Sequence, residues 1–199
     1  MNKKGPGQLR IVGGIWRGRK FPVPPLHTVR PTSERAREAV FNRLIHAQDA
    51  LGVDLRGAAV VDVFAGSGAL GLEALSRGAS LATFIDADPA VTAGLRRILS
   101  GLGAEDRARV LAGDATALPP APQPHDIAFL DPPYLVPHHG SDLLAPALVS
   151  LAKRGWLKPG ALIIAETEAD PFPQLPPGFT PIDQRRYGRP LISFLRRDK

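Results

Sequence analysis

The chain has 199 residues, 44% apolar and 22% charged, with a formal net charge of +6 and no cysteine. That length and balance suit one main soluble domain with a small extension, and the lack of cysteine removes disulfides, thiolate metal sites and cysteine nucleophiles. No apolar run approaches the roughly 20 residues that span a bilayer, and the N-terminus lacks the apolar stretch of a secretion signal, so a cytoplasmic protein is expected.

The charge is unevenly placed. Residues 1–40 hold nine of the 25 basic residues and two of the 19 acidic ones, a net of +7, while the rest of the chain sums to −1. A basic segment on a nearly neutral body is the footprint of a polyanion binder, the plainer reading being a solvated tail that aids solubility. Residues 9–23 read as a β-hairpin, with Leu9, Ile11 and Phe21 as strand residues around Gly13-Gly14 and Arg17-Gly18-Arg19. Trp16 suits the core better than it suits stacking on a base. This basic extension, residues 1–30, is expected to dock the polyanion and to be largely separable from ligand binding by the main domain, residues 31–199. A proline-rich connection leads to Pro31 and the N-cap candidate Thr32. The helix that follows runs to about His46, with Ala36, Val40 and Leu44 spaced by four and Phe41 with Ile45 widening the apolar stripe. Arg35 and Arg37 need not point inwards from it.

From Ala58 the pattern alternates between strand and helix, as in a doubly wound, mostly parallel sheet with helices on both faces. Strands are expected at residues 59–64, 81–85, 109–111, 127–130 and 162–165, and helices at 69–77, 89–99 and 143–154. Lys158-Pro159-Gly160 reads as a turn before the fifth of these strands, and residues 179–184 and 191–195 as an antiparallel pair closing around Gly188. Within the first helix of this series Glu73 and Arg77 stand at the favourable i, i+4 orientation.

Two stretches carry chemistry. The first runs from Asp126 to Tyr134, a buried apolar strand ending in an acid, two prolines and an aromatic ring. Pro132 and Pro133 stiffen the backbone and supply no N–H, Asp131 accepts hydrogen bonds without donating, and Tyr134 offers a face for stacking. Together they suit an exocyclic amine on a planar ring, although a proline-rich turn after a strand is common in α/β proteins.

The second stretch begins at Asp62, where Gly66, Gly68 and Gly71 form G-x-G-x-x-G between a strand and a helix. With Asp86 about 20 residues beyond the first glycine, a dinucleotide is one reading. Asp62 argues for another, because a carboxylate beside the loop repels a pyrophosphate and favours a cation. S-adenosylmethionine carries a sulfonium, an α-ammonium and a ribose diol, and no phosphate. Asp114 would accept from its adenine amine. The structural alternatives are a turn-forming glycine loop and strand-end caps at Asp86 and Asp114.

The run Asp62-x-Phe-Ala-Gly-Ser-Gly-Ala-Leu-Gly-Leu-Glu-Ala, joined with Asp131-Pro-Pro-Tyr, resembles the class I S-adenosylmethionine-dependent amino-methyltransferases. Arg10-Ile-Val-Gly-Gly-x-x-Arg17-Gly-Arg and Arg30-Pro-Thr-x-x-Arg35-x-Arg37-Glu-x-x-Phe41-Asn narrow the resemblance to the RsmD family of 16S rRNA guanine-N2 methyltransferases, over nearly the whole chain. The resemblance implies a Rossmann-like fold and catalysis by Asp131, Pro132, Pro133 and Tyr134. It implies a cofactor site of Asp62, Phe64, Ala65, Gly66, Ser67, Gly68, Asp86, Ala87, Asp114, Ala115 and Asp131, and RNA contacts from Arg10, Arg17, Arg19, Arg30, Arg35 and Arg37. It further implies a monomer without metal acting on 16S rRNA in the assembled or assembling small ribosomal subunit. His138 and His139 read as loop residues. DNA or RNA adenine-N6 methyltransferases share the D-P-P-Y ending, although no inserted block is available for reading DNA sequence. A non-catalytic nucleic-acid-binding module on a degenerate Rossmann fold is the reading from another class.

Overall fold

The structure, a computed structural model, describes residues 8–22, 34–133, 143–167, 173–188 and 190–199. It opens with an antiparallel hairpin, β1 (Gln8–Arg10) and β2 (Lys20–Pro22), joined through a 3-10 turn at Gly14–Trp16. Two helices follow, α1 (Glu34–His46) and the short α2 (Gln48–Leu51), the latter not visible in the sequence pattern. The sheet then builds from β3 (Ala59–Val63), α3 (Ala69–Ser76), β4 (Leu81–Asp86), α4 (Pro89–Leu102), β5 (Ala108–Ala112), β6 (His125–Leu130), α5 (Leu144–Lys153), β7 (Leu157–Thr167), β8 (Phe179–Arg186) and β9 (Leu191–Arg197).

The seven strands lie in the order β5-β4-β3-β6-β7-β9-β8. The pairs from β5 through to β7 are parallel, and β9 runs antiparallel to both β7 and β8. Side chains alternate between the faces. Val60, Phe84, Ile127, Phe129, Leu162 and Ile164 pack with the hairpin and α1 to α4, whereas Val61, Val63, Ile85, Leu130 and Ile163 pack with α5 and Trp156. The chain turns from one side of the sheet to the other between β3 and β6, and the crevice at the carboxyl ends of these two strands is where ligands bind in such sheets.

The strand β7 is longer than the sequence pattern indicates. Lys158-Pro159-Gly160 does not precede it but forms an irregularity inside it, between the His125↔Leu157 and Ile127↔Leu162 pairs. Pro159 cannot donate to the ladder. Lys158 Nζ instead reaches Asp126 Oδ1 at 2.7 Å, and the Arg196 guanidinium donates to the Gly160 carbonyl. At its other end β7 continues through Glu166 and Thr167, both buried.

The hairpin is not a detached tail. Leu9, Ile11 and Trp16 are buried in the main core, and the turn is fastened to the last turn of α3. Glu73, fully buried there, accepts from the Val12 N–H at 2.9 Å and from Arg77 Nε at 2.7 Å, and faces Arg37 Nε at 3.6 Å. Ser76 Oγ donates to the Gly13 carbonyl and accepts from the Trp16 N–H. Gly14 lies so close that a Cβ would stand 1.8 Å from the Ser76 carbonyl oxygen. The hairpin is therefore anchored on the helix that follows the glycine loop. The expectation for Arg37 is corrected, since it is 1% exposed and donates to the Arg10 carbonyl at 2.6 Å, which turns it away from any solvent-borne polyanion.

Removing one partner of a buried ion pair leaves an uncompensated charge, at a cost of about 3–5 kcal/mol. Glu73→Ala is expected to lose stability on that scale in urea titration, and Glu34→Ala, which breaks only the exposed Arg10–Glu34 pair, far less. Equal losses for the two variants would contradict the assigned role of Glu73.

Candidate active site

Each strand of the parallel block from β5 to β6 carries an acid at its carboxyl edge. Asp62 stands one residue before the end of β3, Asp86 ends β4, Asp114 follows β5 and Asp131 follows β6. By alternation Asp62, Asp86 and Asp131 share the face covered by α1 to α4. Asp62 is 2% exposed, and its Oδ2 accepts from the Gly71 N–H at 2.8 Å. A Cβ on Gly71 would come within 2.3 Å of Phe84 and 3.1 Å of that same oxygen, so glycine is what allows the helix to lie on the strand and donate to the acid.

Asp86 holds the glycine loop in place. Its Oδ2 accepts from the Gly66 N–H at 2.8 Å and its Oδ1 from the Asp88 N–H at 2.9 Å. Each carboxylate oxygen has a second acceptor site, enough for a ribose diol. Phe64, half-buried, turns the chain out of β3 with φ of 62°, the one non-glycine at positive φ among the described residues. Strain of this kind is held at functional sites when the surroundings over-determine it. Here the Ala65 N–H is fixed by the Ile85 carbonyl at 2.9 Å. Ala65 and Ser67 are buried and Ala87 is exposed. Asp114 is exposed and caps a 3-10 turn through Oδ1, which accepts from the N–H and the hydroxyl of Thr116; Ala115 beside it is buried.

Of the expected catalytic residues, Asp131 is half-buried, Pro132 buried and Pro133 exposed. Tyr134 lies outside the described residues, as do Arg30, Thr32, His138 and His139. Arg10, Arg17, Arg19 and Arg35 are exposed, and Arg10 is paired with Glu34 at 2.6 Å. Trp16 is a core residue as expected, with the Arg107 guanidinium over its ring. The i, i+4 pair of Glu73 and Arg77 is formed as the sequence indicates, at 2.7 Å, but no motif points to the hold of Glu73 on the hairpin or to Glu166 and Thr167 at the carboxyl edge.

The electrostatics of the crevice test the two ligand readings. Burial pushes the Asp62 carboxyl up to about 8; the Gly71 N–H opposes this, and the neighbouring charges of Asp131 and Asp86 add to it. With Asp86 and Asp131 beside it, an acidic crevice of this kind disfavours a pyrophosphate and suits a cation, so the residues fit S-adenosylmethionine better than a dinucleotide. Among the described residues no group of three or more His, Asp or Glu side chains is arranged to hold a metal ion.

The sheet order and the two strand ends define a class I methyltransferase. The chain belongs to the family described as Conserved hypothetical protein 95, the RsmD family, whose sequence model matches residues 9–196. It is 44% identical over 170 residues to Ribosomal RNA small subunit methyltransferase D of Escherichia coli (strain K12), spanning 85% of this chain and 79% of that protein. The solved structure of the putative methyltransferase yhhF from Escherichia coli superposes with a TM-score of 0.80 at 38% identity, covering 97% of this chain and 99% of that one. The 16S rRNA N2 G1207 methyltransferase (RsmC) of T. thermophilus, solved with AdoMet and guanosine, shares the fold alone, with a TM-score of 0.65 at 21% identity over 98% of this chain and 50% of that one.

The raised carboxyl gives a pH dependence whose sign follows from linkage. Between the ordinary value near 3.8 and about 8 the folded protein holds a proton that the unfolded chain does not, so this group lowers stability progressively as pH rises through that window. Asp62→Asn removes this dependence and is expected to gain stability on the wild type towards pH 8. A bound sulfonium or ammonium favours the ionised acid, so the wild type should release a proton on binding S-adenosylmethionine and bind it more tightly as pH rises to 8. Calorimetry in two buffers of different ionisation enthalpy measures that proton, and its persistence in Asp62→Asn would remove Asp62 from the site.

Proposed function

We propose that this methyltransferase modifies the exocyclic N2 amine of a guanine in 16S rRNA, with S-adenosylmethionine as donor and the assembled or assembling small subunit as substrate. The observation that carries the reading is the Asp131-Pro132-Pro133 ending placed beside Asp62 and Asp86 at the switch point, on a body with a firmly anchored basic hairpin. The name of the 44% identical relative supports the rRNA substrate. Residues 1–30 serve in this reading as the RNA-docking extension and residues 31–199 as the catalytic domain. The protein works as a cytoplasmic monomer without a metal ion. Among the described residues no helix is long and apolar enough to cross a membrane.

An aromatic amine is a poor nucleophile because its lone pair is delocalised into the ring. Asp131 and the Pro132 carbonyl accept the two amine protons, which favours a tetrahedral nitrogen with an available lone pair. S-adenosylmethionine supplies an electrophilic methyl group on a sulfonium. Asp86 accepts from its ribose hydroxyls, Asp114 from its adenine amine, and Asp62 compensates its positive charge. Tyr134 stacks on the base. Positioning of this kind contributes roughly 7–11 kcal/mol to lowering a barrier, so no strong base is required. The nitrogen loses its extra proton to Asp131 or to water, since an ammonium on an aromatic ring is far more acidic than an ordinary amine.

Asp131→Ala is expected to abolish nearly all transfer while S-adenosylmethionine affinity stays within several-fold. Transfer of labelled methyl to small subunits, free 16S rRNA and duplex DNA, followed by digestion to nucleosides, tests the whole reading. N2-methylguanosine from subunits supports it, and N6-methyladenosine establishes the adenine alternative in its place.

The hairpin has its own test. Replacing Arg10, Arg17 and Arg19 together by Ala should weaken RNA binding and reduce the slope of log affinity against log salt by about 0.7 for every phosphate no longer neutralised. An unchanged slope in a salt series would move RNA docking elsewhere on the surface.

A further inference from the structure

Among the described residues three buried side-chain polar atoms lack a hydrogen-bond partner: Nε of Arg37, Nε of Arg43 and Oγ1 of Thr167. The two guanidinium groups are engaged through other nitrogens, Arg37 on the Arg10 carbonyl and Arg43 on Asp183. Thr167 has no other side-chain polar atom. Its hydroxyl stands out against the rest of the interior, where Ser76, Thr83, Thr92 and Ser150 all find partners. A buried hydroxyl left unbonded costs about 1–3 kcal/mol, and such a group in a native protein calls for an explanation.

Its place in the fold supplies one. Thr167 is the last residue of β7 and is 4% exposed. The final parallel pairing of β6 with β7 is Leu130↔Ala165, so two residues further along Thr167 reaches the level of Pro132. By alternation it lies on the same face as Leu130 and Ala165. It therefore flanks the segment whose carbonyl receives the substrate amine.

We propose that the Thr167 hydroxyl is a substrate-positioning group that hydrogen-bonds the guanine ring edge next to the N2 amine. This rests on the guanine-N2 reading above. Asp131 and the Pro132 carbonyl fix the two amine protons but leave the base able to rock about that nitrogen. A third bond, accepted from N1–H or donated to N3, fixes the ring in its plane, and a hydroxyl serves either atom because it both donates and accepts. Among the described residues the hydroxyl has no protein partner, and it gains one when the base enters.

Thr167→Val keeps the shape and removes the hydroxyl, while Thr167→Ser keeps the hydroxyl and removes the methyl. Because it breaks no internal hydrogen bond, Thr167→Val is expected to be at least as stable as the wild type in urea titration. Its affinity for S-adenosylhomocysteine, measured by calorimetry, should be unchanged, and kcat/KM for methyl transfer to small subunits should fall roughly 3- to 10-fold. Thr167→Ser should transfer at nearly the wild-type rate. Unchanged transfer by Thr167→Val overturns the proposal, as does a loss of stability or of S-adenosylhomocysteine affinity, because each assigns the hydroxyl a different partner. Equal damage in both variants overturns it in favour of packing by the methyl group. Failure of the guanine-N2 reading is seen separately, in the nucleoside formed by the wild type, and would take this proposal with it.

Discussion

One buried carboxylate holds the architecture together. Glu73 lies inside the core with a backbone N–H of the hairpin and the guanidinium groups of Arg37 and Arg77 directed at it. Ion pairs of this depth recover little more than their desolvation cost, so the gain is better sought in definition than in stability. An apolar side chain at this position would let the hairpin slide over α3. A carboxylate that must satisfy Val12, Arg37 and Arg77 together allows one seat, and the close approach of Gly14 to the Ser76 carbonyl closes that seat from the other side. The exposed Arg17 and Arg19 are thereby carried on a firmly seated hairpin.

The opposite compromise governs the carboxyl edge. Asp62 is buried near two other acids, Phe64 is held at positive φ and the Thr167 hydroxyl has no partner, and each feature weakens the free protein. All three lie at the ends of strands β3 and β7. A cationic cofactor and a polar base relieve what the protein alone leaves unfavourable, which is the usual exchange of stability for function at a site. Gly71 joins the two regions, because it brings the helix that carries Glu73 close enough to donate to Asp62.

The sequence was legible wherever a local pattern and its physical cause coincide. The strands around Val61, Phe84 and Phe129 show as apolar runs, α4 as a periodic stripe, and the glycine loop and the Asp-Pro-Pro ending as motifs whose chemistry needs those residues. It was least legible where long-range contacts decide. Arg37 resembles the exposed Arg35 by sequence, and only the packing of the hairpin against α1 and α3 distinguishes them. Lys158-Pro159-Gly160 has turn chemistry, yet Asp126 and Arg196 hold it within a strand. Glu166 and Thr167 continue an apolar strand with polar residues, which ends the periodic signal before the strand itself ends.

The way the hairpin is seated also fixes how an RNA would have to lie. Helix α3 begins at the glycine loop, on the carboxyl edge, and runs back to the start of β4. The hairpin turn is fastened to its far end, near Ser76 and Arg77. The opposite end of the hairpin, at Arg10, meets Glu34 at the start of α1. Eight residues of helix span about 12 Å, so the point at Ser76 where the turn is fastened lies about that far along α3 from the glycine loop. On the docking role proposed for Arg17 and Arg19, the phosphates they meet belong to flanking nucleotides. At the other side of the site, the Arg185↔Ile192 and Glu166↔Ile192 pairings bring the exposed Arg185 of edge strand β8 to the level of Glu166 at the carboxyl edge. Unpairing or extruding a base costs a few kcal/mol, and contacts remote from the reacting amine are the means by which binding energy offsets that cost. On the docking role proposed for the hairpin, a folded RNA whose neighbouring strands lie across both surfaces makes contacts that a short oligonucleotide carrying only the target guanine does not make.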